Sequence, residues 1–506
     1  MEKTSNSKLV LDVNEKPELA KWIILAFQHV FAMFGATILV PILVNSAAGA
    51  EVLSIPVALV ASGIGTLIYI LCTKAKSPVY LGSSFAFIVP ISAAYLKGGI
   101  EGAMTGIMVV GLIYMIVAFI IRLVGKEWIN KVLPPLVIGP MIMIIGLGLA
   151  PSAVGQIGLS SDATDIDWRN VVVALITFLT TAIVMVRAKG FFKIIPFLIG
   201  IVVGYICSIF MGLVDFTTVA QASFFSIPAF KFPFVHYTPS FSAILTIAPI
   251  ALVTMAEHIG DHTALSTIIG KDLLKNPGLD RTLLGDGLAT FIAGAIGGPA
   301  NTTYGENTSV VGMTKIASVW VIGLAAIIAI VLGFLGKFTA IVSTIPNPVL
   351  GGVSLLLYGF IAVNGLKVLI ENQINFGVNK NIVVASTMLV LGLGGAAVSI
   401  VHGDLSLTIS GMSLAAVIGI LLNLLLRDPE AETKAEVKVE KASTLEKDVE
   451  ELKADVKMLK AEIEKLKGNK QAPKEEAKEE PKEETKEENN GTNNNNNNQK
   501  KKKKHK

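Results

Sequence analysis

The stretch AEHIGDHTALSTI, Ala256–Ile268, sets Glu257, His258, Asp261 and His262 within two helical turns. Two chemistries use such a set. The first is metal binding, because His258 and His262 at i, i+4 would share one helical face, as in the zinc motif H-E-x-x-H. The details oppose it: Ile259 stands where that motif has Glu, and His29, His236, His402 and His505 lie in no third-ligand context. His262 is instead expected near a cytoplasmic helix end, where positive charge is favoured. The second chemistry is recognition of a small polar ring. An ionised Glu accepts hydrogen bonds from ring N–H groups while backbone N–H groups donate to ring carbonyls, which matches the edge of an oxo-pyrimidine or oxo-purine. A carboxylate can also take a proton from water in one conformation and hold it in another, the minimum equipment of a proton-coupled symporter. Asp286 in LLGDGLATFIAG and Glu306 in TTYGENTSVVG are the other acids set in apolar surroundings.

The elements that must position these groups are membrane helices. Of 506 residues only 16% are charged and 52% are hydrophobic, with a mean hydropathy of +0.63. From Trp22 to Arg427 apolar runs follow one another, each about the 17–22 residues a helix needs to cross the hydrocarbon core. Backbone polar groups find no water there, so the runs are expected as helices, about fourteen crossings or part-crossings. Lys and Arg gather in alternate loops: Lys74 and Lys76, then Arg122, Lys126 and Lys131, then Arg187, Lys189 and Lys193, then Lys271, Lys275 and Arg281. The positive-inside rule then puts both termini in the cytoplasm. The leader, residues 1–21, lacks an apolar stretch with a cleavage site and reads as a cytoplasmic segment without a removable signal. The net charge of +4 follows topology rather than forming a nucleic-acid patch. Cys72 and Cys207 sit in apolar runs and imply no disulfide framework.

Two segments depart from ordinary lipid-facing helix: VYLGSSFAFIVPISAAYL and GGPANTTYGENTSVVGM. Small and polar residues interrupt both. Such interrupted segments at corresponding places in two halves of a chain point to a transporter's binding site, because unwound backbone can present N–H and C=O groups to a substrate. Gln28-His29 precedes Ser83-Ser84-Phe85 by roughly 55 residues, and Glu257-His258 precedes Tyr304-Gly305-Glu306 by a comparable interval. Two repeats of about seven segments follow, 22–214 and 242–427, and an odd number makes them inverted.

Together AEHIGDH, KDLLKNPGLDRTLLGDGLATFIAG, PANTTYGENTSVVGMT, IPNPVLGGVSLLLYGFIAVNGLKVLIE, YLGSSFAFI and FQHVFAMFGATILVP resemble the nucleobase/ascorbate transporter family, on the side of its bacterial uracil carriers. The resemblance spans the membrane part, Trp22 to Arg427. It implies an all-α polytopic membrane protein of fourteen segments in two inverted repeats, a core domain and a gate domain, a homodimer, and extended stretches in segments three and ten at Leu81–Ser84 and Thr302–Tyr304. It further implies that Glu257 and Glu306 bond the base, that the backbones of Phe85 and Gly305 meet its carbonyls, and that Tyr304, Ser84, Ser354 and Tyr358 line the pocket. His29 would support the site, and Glu257, Asp261 and Asp286 would serve proton coupling, with no cofactor beyond the proton and no enzymatic step. The expected activity is uracil import by proton symport across a bacterial-type inner membrane. Asp261 and Asp286 match purine-carrying relatives instead, which makes a xanthine or purine permease the alternative; YGEN at Tyr304–Asn307 is the uracil form.

After the membrane domain, 22–428, the composition turns to Lys, Glu, Ala and Asn. Between 440 and 467, Val449, Val456 and Ile463 alternate with Leu445, Leu452, Leu459 and Leu466 at heptad spacing. β-Branched a positions with Leu at d favour a parallel two-stranded coiled coil, which would reinforce a dimer. Residues 468–506 are low-complexity and expected to be disordered, with terminal lysines able to touch anionic lipid.

Overall fold

The computed structural model describes residues 9–160, 165–189, 192, 195–232, 240–402, 405–426 and 458–459. Met1–Arg427 form one compact unit. Of the following unit, Asp428–Lys506, only Met458 and Leu459 are described, both helical, so the coiled coil expected at 440–467 and the tail 468–506 lie outside the described residues.

In chain order the first half contains α1 (Leu19–Ala48), α2 (Ile55–Cys72), β1 (Leu81–Ser83), a single 3₁₀ turn (Phe85–Phe87), α3 (Ile88–Val124), α4 (Glu127–Val132), α5 (Pro135–Gly148), α6 (Ala150–Ile157), α7 (Trp168–Arg187), α8 (Pro196–Phe210) and α9 (Thr217–Gln221). The second half contains α10 (Phe241–Ile247), α11 (Ile250–Ile269), α12 (Leu279–Ala295), β2 (Asn301–Thr303), α13 (Gly305–Thr314), α14 (Val319–Gly333), α15 (Gly336–Ser343), α16 (Asn347–Glu371) and α17 (Asn379–Leu393). A hairpin of β3 (Ala397–His402) and β4 (Leu405–Ser410) leads into α18 (Gly411–Leu425).

Among the described residues, 7 helices or joined helix pairs are long and apolar enough to cross a membrane, while α8, α14, α17 and α18 are apolar but shorter. A 15-residue helix such as α14 spans about 22 Å, less than the ~30 Å hydrocarbon core. α12 and α13 carry Asp286, Thr290, Asn307 and Thr308 on buried faces and are covered by protein rather than lipid. Facing outward, α3 exposes Leu112, Ile116, Phe119 and Leu123 while burying Gly111, Tyr114, Ala118 and Ile121. That 3.6-residue alternation lays one stripe against lipid and the other against α12.

Two groups of helices share this unit. α2 packs on α12 and α14, α3 on α12 and α10, and α1 on α14, with the two strands among them. In the other group α16 packs on α5, α6 and α7, α7 on α8, and α17 on α18 and α5. α3 is broken at Gly98 and Gly99, where Gly99 has φ 64. A Cβ at Gly98 or Gly102 would lie 2.4 or 2.7 Å from Ser240 or Ala243, so the small residues here let α10 cross close to α3.

The two interrupted segments meet at the centre. β1 and β2 pair antiparallel, Leu81 with Thr303, Gly82 with Thr302 and Ser83 with Asn301. Backbone bonds Tyr304 N to Tyr80 O (3.0 Å) and Ser84 N to Ala300 O (2.9 Å) continue the ladder at both ends. The second strand begins one residue earlier than the expected Thr302–Tyr304, because the register brings Asn301 opposite Ser83 and leaves Tyr304 as the residue ahead of α13. Polar neighbours satisfy the short ladder's outer groups: Thr66 Oγ1 accepts from Leu81 N, Ser62 Oγ donates to Leu81 O, and Thr290 Oγ1 donates to Asn301 O.

The lysine-bearing loops converge. Lys76 Nζ donates to Asn276 Oδ1 (2.9 Å), Lys126 Nζ to Leu274 O (3.4 Å), and Lys271 pairs with Asp12 of the leader. The ends of α2, α3 and α11 therefore share one basic face. On another loop set, Lys231 Nζ reaches Glu51 O and Val52 O between α1 and α2.

Candidate functional site

Each paired strand runs directly into a helical start, β1 into the turn at Phe85 and β2 into α13 at Gly305. Antiparallel pairing sets the two starts beside each other. The first N–H groups of a helix have no intrahelical partner and carry partial positive charge, so two sets of donors meet at one place. A Cβ built on Gly305 would meet nothing nearer than Asp261 Oδ1 at 3.8 Å, so the space over this backbone is open and edged by a carboxylate.

α11 supplies that edge. Glu257 and Asp261, one turn apart, face β2: Thr302 Oγ1 donates to Glu257 Oε2 (3.4 Å) and Thr303 Oγ1 to Asp261 Oδ2 (2.5 Å). Glu306 enters from the first turn of α13, within electrostatic reach of both. All three are half-buried. Helical spacing alone can put Glu257 and Asp261 on one face, but only strand pairing brings Glu306 to them.

Tyr304 is 2% exposed and lies across β1. Its OH donates to Ser83 O (3.0 Å), which can only accept, so Thr37 Oγ1 at 3.1 Å donates to Tyr304 in turn. Rather than presenting a hydroxyl to a pocket, Tyr304 ties β1, β2 and α1 together. A Cβ on Gly82 would fall 2.4 Å from its ring, so this stacking needs glycine.

From the other helix group, α16 brings Tyr358, whose ring meets Phe85 edge-on with centroids 6.0 Å apart. Ser354 and Tyr358 are buried one turn apart, with their hydroxyls close enough to interact with each other, and Ser84 Oγ is buried with no hydrogen-bond partner among the described residues. Leaving a polar group buried and unpaired costs about 1–3 kcal/mol, so Ser84 Oγ is a group for a ligand or water to satisfy.

His29 lies outside the carboxylate cluster and is bonded to α13, the helix that carries Glu306. Asn307 Nδ2 donates to His29 O and to Nδ1, both at 3.1 Å, so Nδ1 is the acceptor and the ring proton sits on Nε2. α1 thereby anchors the first turn of α13. Asp286 is also set back: its Oδ2 meets His258 Nδ1 at 2.8 Å, and both side chains are fully buried. His262 corrects its expected position at a polar helix end. It is 0% exposed; its Nδ1 donates to His258 O (2.7 Å), leaving Nε2 to accept from Tyr69 OH (2.5 Å). The helix does not end there: α11 continues to Ile269, and Tyr69 of α2 covers that turn. Among the described residues no group of three or more His, Cys, Asp or Glu is placed to hold a metal ion.

The structure thus gathers Glu257, Asp261, Glu306, Gly305, Phe85, Ser84, Ser354 and Tyr358, and sets Tyr304, His29 and Asp286 behind them. Sequence reading passed over Thr302 and Thr303 as donors, Asn307 as the partner of His29, and Tyr69. The threonines alone carried a signal, since they belong to the stretch expected to be extended.

Residues 20–401 match the model of the permease family Xan_ur_permease. The chain is 47% identical to the uracil permease of Bacillus caldolyticus over 83% of its length and 95% of the relative's. It is 45% identical to that of Bacillus subtilis over 87% and 99%, and 42% identical to that of Escherichia coli over 83% and 95%. Among solved structures, the transmembrane domain of the cyanobacterial bicarbonate transporter BicA aligns over 82% of this chain and 99% of its own, with TM-score 0.51 and 17% identity. The murine solute carrier 26 A9 anion transporter aligns over 84% and 73%, with TM-score 0.57 and 13% identity. At such identities these two show a shared fold and nothing about substrate. With its helices apolar enough to cross a bilayer and relatives matched over 95% and 99% of their own length, the chain is a multi-pass membrane transporter, not an enzyme, and belongs to the nucleobase/ascorbate transporter family of permeases.

Proposed function

We infer that this protein imports uracil by proton symport. The observation that carries the reading is the meeting of Glu257 and Glu306 with the two helical starts at Phe85 and Gly305, in a chain 42–47% identical to uracil permeases. Uracil offers two N–H donors and two carbonyls. The glutamates accept from the former, the backbones of Phe85 and Gly305 donate to the latter, and the ring lies against Phe85 and Tyr358, with Ser84 and Ser354 in reach. Glu257 and Asp261 share the coupling proton, Asp286 standing behind them. Moving a bare carboxylate across the membrane potential involves about 2.3 kcal/mol per charge per 100 mV, which a bound proton removes.

The loaded carrier moves in two parts: a core domain with the strands and α11–α14, and a gate domain built on α16. Fourteen segments in two inverted repeats fit the packing, since contacts recur with the halves exchanged. α3 packs on α12 as α14 packs on α2, α8 touches α1 as α18 touches α11, and β1 pairs with β2. The basic face carrying Lys76, Lys126 and Lys271 is the cytoplasmic one, with both termini inside a bacterial inner membrane. The working unit is a homodimer, reinforced by the heptads of 440–467.

A second reading, a proton-coupled xanthine or purine permease, is favoured by Asp261, which borders the open space over Gly305. Uptake of radiolabelled uracil by cells lacking their own carrier separates the two. Uptake that collapses with a protonophore and survives excess xanthine supports uracil/proton symport. Xanthine uptake in place of uracil would transfer the assignment to the second reading.

A further inference from the structure

The leader ahead of α1 is bound to the protein. Val10 N donates to Lys315 O (2.8 Å), Leu11 O accepts from Ala317 N (2.9 Å), and Val13 O accepts from Val319 N (2.9 Å), a short parallel pairing with the link between α13 and α14. Ser318 Oγ donates to Glu15 O (2.5 Å), and Asp12 forms an ion pair with Lys271, just past the end of α11 (2.5 Å). Val13 is 2% exposed and packs in a cluster with Leu265 and Ile269 of α11, Val311 of α13 and Leu81 of β1. Lys16 Nζ lies 4.5 Å from the Trp22 ring centroid and 5.3 Å from that of Trp320.

We propose that residues 10–15 are a positioning strap for the binding site. The strap joins the far ends of the two helices that carry its carboxylates. From Glu306 to Lys315 is 9 residues, about 14 Å of helix, and from Asp261 to Lys271 is 10 residues, about 15 Å. α13, with 10 residues, is too short to be held by crossing the bilayer. Its near end is fixed by β2 and Asn307, and its far end is fixed by the leader. A stiff helix transmits a shift at Lys315 to Glu306, so the spacing between Glu306 and the Glu257/Asp261 pair depends on a segment that touches neither. The inference rests on the reading of these carboxylates as the substrate groups.

The test uses purified full-length protein in which Trp128→Phe and Trp168→Phe leave Trp22 and Trp320 as reporters at the strap. Val13→Asp, which puts a carboxylate into the apolar cluster, should shift the tryptophan emission. It should also raise the uracil Kd at least tenfold, and KM in parallel, with less effect on maximal uptake rate; Val13→Ile should leave both near the parent. Released emission with a Kd within twofold of the parent overturns the strap. If Val13→Asp does not accumulate, the charge swap decides. Asp12→Lys should raise Kd about threefold and added Lys271→Asp should restore it, the size of an exposed ion pair; equal Kd values for single and double variants overturn the proposal. A parent that binds no uracil refutes the substrate reading instead, and the same series is then read on xanthine.

Discussion

Gly82→Ala tests whether the strand pair sets the geometry of the site. A methyl group there would lie 2.4, 2.5 and 2.7 Å from Cζ, Cε2 and the hydroxyl oxygen of Tyr304, where ordinary carbon contacts need about 3.5 Å or more. The ring cannot rotate away freely: Ser83 and Thr37 hold its hydroxyl, and its backbone N–H is bonded to Tyr80. Relief therefore requires a shift of about 1 Å in Tyr304, and with it in Gly305 and Glu306. Overpacking of this kind costs about 1–3 kcal/mol. In the empty protein the strain relaxes by moving the start of α13; in the proposed site uracil needs that start in place, so binding would restore the strain. Kd for uracil should accordingly rise about ten- to hundredfold, at 1.4 kcal/mol per decade. Equilibrium binding to purified protein measures it, with KM for uptake as the companion value. A Gly82→Ala protein with the parent's Kd and a normal yield would refute the claim that Tyr304 transmits strand position to the site.

Asp261→Asn should leave uracil bound but alter the pH dependence of uptake and the proton stoichiometry; uptake with both unchanged would exclude Asp261 from coupling. Asn307→Leu removes the two bonds to His29, a loss of about 1–3 kcal/mol at roughly 0.5–1.5 each, and should lower the melting temperature and raise KM for uracil; unchanged values would show that His29 gives no support. At the leader, hydrogen bonding from Lys271 lowers the Asp12 carboxyl below its ordinary 3.8. Its contribution is therefore present above pH ~4 and lost as pH falls through the lowered value. Because the pair is about half exposed, the stability difference between parent and Asp12→Asn should stay below about 1 kcal/mol from pH 7 to 5 and shrink as pH falls below the ordinary 3.8, as read by thermal unfolding. Truncation after Arg427 should make the proposed dimer dissociate at higher protein concentration in detergent, and identical dissociation with and without the tail would argue against the heptads as a clamp.

Much of the membrane architecture was legible because lipid imposes it locally. An apolar run must become a helix wherever water is missing, and a run broken by Gly, Ser and Asn must find its partners in protein. That is enough to single out the segments around 85 and 305 as interrupted and to pick Glu257 and Glu306 as acids in need of a partner or a task; that each contains an extended stretch came from the family resemblance. Residues four apart on one helix, such as Glu257 and Asp261, can also be placed on a common face without coordinates.

The tertiary structure decided what joins across the chain. Ser83 lies opposite Asn301, Thr303 meets Asp261, Asn307 reaches back to His29, and Tyr69 covers His262. Local periodicity says nothing about such pairs, since each depends on where two helices separated by tens to hundreds of residues come to pack. His262 shows the difference most clearly. Its sequence surroundings describe a polar helix end, yet a tyrosine from α2 turns the same position into a buried, fully bonded one. The leader makes the same point from outside the bilayer: its composition is that of a solvated segment, and only the exposed backbone edge at Lys315–Val319 and the apolar gap filled by Val13 give it a place.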